Sequence, residues 1–104
     1  MKALVVIAAM LATAAGQAAT PIDGRTAFRA HCGFCHLEGG TGTIMLGRRV
    51  PKGQALLEAR PDLHADYVRA VARSGLNSMP ALTRVEVDDA TLAAIADYLA
   101  KGRK

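Results

Sequence analysis

HCGFCH, residues 31–36, gathers both cysteines of a 104-residue chain and two of its three histidines into six consecutive positions. Three chemistries compete for it. A thioredoxin-like dithiol needs a βαβ setting that places the first cysteine at a helix N-terminus and lowers its pKa, and here a helical pattern precedes the pair instead. A structural zinc site needs four protein ligands. Cys32, Cys35 and His36 offer two or three, while His31 and His64 stand apart. A disulfide between Cys32 and Cys35 closes so short a loop that chain entropy gains little from it. The third chemistry uses both cysteines and the trailing histidine, leaving His31 as a partly exposed helix residue: in Cys-x-x-Cys-His, two thiols form thioethers with the vinyl groups of a haem, and the adjacent histidine becomes the proximal iron ligand.

Outward from the motif, "TPIDGRTAFRAHC" predicts a short helix capped by Asp23 that runs directly into Cys32. "LEGGTGT" (37–43), with three glycines, reads as a loop, and "IMLGRRVPKG" continues irregular. "QALLEAR" (54–60) is expected to make one or two helical turns before Pro61. Asp62 is expected to cap a middle helix with Leu63, Tyr67, Val71 and Ala72 on one face, stopped by Gly75. "LNSMPALTRVEV" is non-helical, since Pro80 disfavours a helical Met79. The strongest pattern is "DDATLAAIADYLAKG", capped by Asp88, with Leu92, Ile95, Ala96 and Leu99 on one stripe and Gly102 at its end. No strand pattern occurs, so the expectation is all-α: three main helices and long loops.

The first twenty residues, MKALVVIAAMLATAAGQAAT, have one charge at Lys2, an apolar run from Ala3 to about Ala15, and small residues at Gly16, Ala18 and Ala19. This is the plan of a signal peptide cleaved near Ala18 or Ala19, leaving 1–19 as leader and 20–104 as one domain, and it predicts a periplasmic protein. The alternative is a membrane anchor, but the run falls short of the roughly 20 apolar residues that span a bilayer. The remaining 85 residues hold 12 basic against 9 acidic groups and only four aromatics, Phe28, Phe34, Tyr67 and Tyr98. Neither a basic stripe nor interleaved aromatics point to nucleic acid. A chain this small needs a staple, and a covalent haem supplies both staple and core.

In three places the chain resembles the small class I c-type cytochromes. "GRTAFRAHCGFCH" is similar to their N-terminal helix and attachment motif, with Gly24 and Phe28 at the positions that pack on the last helix. "LAAIADYLAK" is similar to that last helix, with Ile95 and Tyr98 at the matching contacts. "YVRAVARSGLNSMPAL" resembles the segment that supplies a distal methionine. The resemblance implies a cytochrome c-like fold around one haem c, attached at Cys32 and Cys35 and ligated by His36 and Met79. Met79 lies 43 residues beyond His36, far enough to approach from the other haem face. Met45, nine residues away, His64 and an open sixth position remain the alternatives. In this family an arginine of a "GR" pair often meets a haem propionate, which implies Arg48; two solvated arginines, Arg48 and Arg49, are the other reading. Where the family has a Gly-Pro whose carbonyl accepts the proximal histidine's ring N–H, this chain has Gly42-Thr43.

The implied function is a periplasmic one-electron carrier rather than an enzyme. Its expected donor is a flavin-dependent dehydrogenase and its acceptor a terminal oxidase or another cytochrome. The competing class is a haem enzyme or sensor with a labile sixth ligand, peroxidase-like or gas-binding. A zinc or dithiol module predicts a colourless protein.

Overall fold

The computed structural model describes residues 3–10 and 20–101. Residues 3–10 are exposed and carry neither helix nor strand; the expected cleavage point and Gly102 lie outside the described residues. The described chain forms five α-helices, α1 (Gly24–His31), α2 (Gly33–His36), α3 (Thr41–Leu46), α4 (Ala65–Ser74) and α5 (Asp89–Lys101), with a 3₁₀ turn at Leu57–Ala59. Among the described residues there is no strand, only an isolated bridge between Leu76 and Met79. The all-α expectation holds, and α1, α4 and α5 are its three main helices.

The outer helices begin where their aspartates place them. Asp23 accepts from the Arg25 N–H at 3.2 Å and from the Thr26 hydroxyl at 2.7 Å, and Asp88 accepts from the Thr91 N–H at 2.8 Å. The two backbone pairings satisfy donors that a helix start leaves unpaired. The α5 stripe of Leu92, Ile95, Ala96 and Leu99 is buried as its spacing predicts, against a Phe28 of α1 that is fully enclosed. The Phe28 and Tyr98 rings meet at 6.0 Å in a tilted pair.

Gly24 permits this crossing. A Cβ there would lie 2.4 Å from the Ala94 carbonyl oxygen and 2.6 Å from the Tyr98 Cβ. Gly24→Ala is therefore expected to force the helices apart and to destabilise the protein by about 1–3 kcal/mol, the usual range for overpacking. Denaturant unfolding of the haem-loaded protein measures it; an unchanged midpoint would show that α1 and α5 can slide at no cost.

Two expectations change. The glycine-rich stretch is not all loop, because α3 starts inside it. Of Gly39, Gly40 and Gly42, only Gly39 has a positive φ, 79°. The others serve close approach: a Cβ on Gly40 would stand 2.4 Å from the Cys35 carbonyl oxygen, and one on Gly42 2.8 Å from the same atom. The Thr43 hydroxyl donates to the Leu37 carbonyl at 2.8 Å and ties α3 back to the end of α2. "QALLEAR" makes a single 3₁₀ turn, within the one or two expected.

Last, the middle helix is capped at His64, without a side-chain bond, and not at Asp62. Pro61 holds Arg60 extended, with φ −85° and ψ 127°. In extended chain, residues two apart share a side, so Asp62 turns to Arg60 instead, accepting from Nε at 3.0 Å and from Nη2 at 2.9 Å. Leu63 and Ala72 are buried, Val71 is half-buried, and Tyr67 is exposed. Gly75 ends α4 as expected, at φ 73°. Its bareness is required twice, since a Cβ would also meet the Met79 carbonyl oxygen at 2.7 Å.

Candidate functional site

The helices leave a hollow that their own side chains do not fill. A cavity of about 280 Å³ is bounded by α1 and α5 through Phe28, Leu92, Ile95 and Leu99, by α4 through Val68, Val71 and Ala72, and by Leu57 and Leu63. Cys32, Cys35 and His36 line it, as do Met45 and Met79.

The Cys-x-x-Cys-His motif reaches the hollow because it is helical. The Cys32 N–H donates to the Phe28 carbonyl at 2.8 Å and closes α1, while the His36 N–H donates to the Cys32 carbonyl at 3.0 Å. Residues three and four apart share a helix face, so this turn places Cys32, Cys35 and His36 together. It turns Phe34 out to solvent, where it is 94 % exposed.

Both cysteines are free thiols. Burial, with Cys35 adjacent, pushes the Cys32 thiol up to about 11, the opposite of what a dithiol exchanger needs. Among the described residues no group of three or more His, Cys, Asp or Glu is gathered as a metal site, so a closed four-ligand zinc centre lacks its partners. Burial also lowers the His36 pKa, which favours the neutral imidazole that coordinates a metal. The His36 Nδ1 is buried without a hydrogen-bond partner. Gly42 lies against it: a Cβ there would be 3.2 Å from Nδ1 and 3.0 Å from Cε1 of that ring. Neither the Gly42 nor the Thr43 carbonyl accepts from this nitrogen in the place of the family's Gly-Pro carbonyl, and the Thr43 hydroxyl donates to the Leu37 carbonyl. A mostly apolar hollow faced by two thiols, a half-buried imidazole and two thioethers, with Arg49 and Arg60 at its wall, fits a haem and its propionates.

The remaining residues are placed as follows. Met79 is half-buried in the non-helical stretch after α4, and Met45 is 39 % exposed in α3. His31 and His64 are exposed, and neither lines the cavity. Arg48 is exposed and outside the wall, whereas its neighbour Arg49 and the more distant Arg60 line it. Arg60 reaches the wall although no haem motif of the sequence includes it. Its signal was Arg-Pro-Asp, in which the proline aligns the flanking charges.

Over residues 19–99 the chain matches the family described as cytochrome c oxidase, cbb3-type, subunit III. The chain belongs to this family of c-type cytochromes. The cytochrome is 32 % identical over 93 residues, which span 86 % of this chain and 71 % of the relative, to the "4-cresol dehydrogenase [hydroxylating] cytochrome c subunit" of Pseudomonas putida. No solved structure matches it. The family implies that the hollow of this cytochrome binds haem c, and no helix among the described residues is long and apolar enough to cross a membrane.

Proposed function

We propose that this cytochrome is a periplasmic one-electron carrier holding one covalent haem, loaded by a dehydrogenase of the flavin-dependent kind and discharged to a terminal oxidase or another cytochrome. One observation carries the reading: the Cys32–Cys35–His36 turn and Met79 face the same apolar hollow. The similarity to a dehydrogenase's cytochrome subunit supports the donor.

In this reading Cys32 and Cys35 hold the ring by thioethers, His36 ligates from α2, and Met79 ligates from the stretch after α4. Bound there, haem supplies a reversible one-electron couple. The protein does the rest. With an imidazole and a thioether both committed, no coordination position is left for substrate. The thioether favours the reduced state over what a second histidine would give. Phe28, Ile95 and Leu99 exclude water from one side. Arg49 and Arg60 on the wall offer guanidinium groups to the two propionates.

Reduction kinetics test the carrier reading. The oxidised protein is expected to be reduced faster by a flavin-dependent dehydrogenase than by a quinol-oxidising complex, with a reduced c-type α-band appearing in step. Ready reduction by the quinol-oxidising complex alone would remove the dehydrogenase from the scheme. A colourless protein would remove the haem.

A further inference from the structure

The stretch from Leu76 to Val87, which carries Met79, is two self-closed turns. At its start, Leu76 and Met79 exchange backbone hydrogen bonds of 3.0 and 2.9 Å around a left-handed Asn77 at φ 52°. At its end, the Thr83 hydroxyl accepts from the Glu86 N–H at 3.3 Å, and the Val87 N–H donates to the Thr83 carbonyl at 3.0 Å. Neither turn by itself fixes where Met79 stands relative to His36.

One side chain straps the stretch to the helices at two points beyond Met79, at Leu82 and at the end of the second turn. Arg73, in the last turn of α4, donates from Nη1 to the Val87 carbonyl at 2.9 Å and to the Leu82 carbonyl at 3.3 Å. From Nη2 it donates to Asp89 Oδ1 at 2.7 Å, at the start of α5. Its side chain is only 19 % exposed. The Leu82 N–H meets α4 as well, donating to the Ala72 carbonyl at 2.8 Å. Asp89 is held in turn by Arg84, 3.1 Å from Nε to Oδ2. The planar fork of a guanidinium is what allows one residue to serve two carbonyls and a carboxylate.

We propose that Arg73 is the positioning residue for the distal ligand, fixing Met79 at the cavity so that its loss opens the sixth position while the His36 side stays assembled. This rests on Met79 being that ligand. Hydrogen bonds to a charged group are the strong ones, each carrying about a tenfold or larger factor in a local equilibrium.

The test uses the haem-loaded protein with Arg73→Gln, Arg73→Lys and Arg84→Gln. Arg73→Gln is expected to weaken or abolish the near-infrared thioether–iron band of the oxidised protein. Carbon monoxide should bind its reduced form about tenfold faster or more, and its Leu82 amide should exchange faster, while the c-type α-band and the helical circular dichroism persist. Arg73→Lys, which keeps the charge but not the fork, should fall between. Arg84→Gln removes the other partner of the same carboxylate without touching a carbonyl of the stretch and should match the parent.

A parental band and carbon monoxide rate in Arg73→Gln would overturn the proposal, as would an equal effect of Arg84→Gln. If the parent itself lacks the near-infrared band, the assignment of Met79 fails instead. Leu82 exchange then judges the strap alone, with unchanged exchange in Arg73→Gln counting against it. Should Arg73→Gln not retain haem, Arg73→Lys and Asp89→Asn decide by the same readouts, and parental behaviour in both overturns the proposal.

Discussion

Met79→Ala is expected to erase the near-infrared thioether–iron band of the oxidised protein, to lower the midpoint potential, and to let the reduced protein bind carbon monoxide. The fall should be on the order of a few hundred millivolts, inside the roughly 0.8 V range that axial ligands command. The effect is large because the thioether stabilises the reduced state, and alanine leaves nothing to replace it. Met45 is the one competitor on the wall. It sits in α3, which is fastened to α2 by the Thr43–Leu37 hydrogen bond of 2.8 Å and by the close approach of Gly42 to the His36 ring. Met45 could shift from its place on the wall only if α3 came away from α2. Met45→Leu should therefore keep the band and the potential. The reverse pattern, with the band lost in Met45→Leu and kept in Met79→Ala, would exchange the two assignments.

Legibility of this chain divides along physical lines. The α1 cap, the α5 stripe and the Cys-x-x-Cys-His turn rest on local rules, namely side-chain capping, helical periodicity and i, i+3, i+4 facing, so the sequence alone placed them. The glycines of 39–42 misled because glycine has two uses. As a source of backbone freedom it signals a loop, and as an absent side chain it lets a helix lie against another backbone. Only Gly39 has the first use, while Gly40 and Gly42 have the second, which no window of sequence distinguishes. Asp62 misled in the same way: an aspartate before a helical pattern is a cap only if no nearer cation claims it, and Arg60 does. Arg73 was invisible for another reason. Its partners Leu82, Val87 and Asp89 lie nine to sixteen residues away, so its role exists only once the chain has turned back on itself.

The Cys32→Ala/Cys35→Ala protein should lose its haem to acidified organic solvent, where the parent keeps its colour, and the extracted chain should lose more than half its helical circular dichroism. Apart from small side chains, the core is thin. Phe28, Ile95 and Leu99 are the large side chains sealed completely, and the hollow beside them measures about 280 Å³. Cavities cost about 24 cal/mol per Å³, so leaving one of about 280 Å³ dry is worth up to ~7 kcal/mol. That is comparable with the whole stability of a small domain, about 5–15 kcal/mol. Flooding the hollow is little better, because Leu57, Val68, Val71 and Leu92 would face water that finds few polar partners. Both thioethers should contribute. Either single cysteine variant keeps one covalent bond and should keep its colour through extraction, though with a lower unfolding midpoint. In the double variant His36 and Met79 can still hold haem in neutral buffer, so absorption before extraction should remain. Once the haem is removed, a sharp cooperative unfolding transition would show that α1, α4 and α5 stand without a filler. A broad, shallow one places the haem in the core as well as in the redox site.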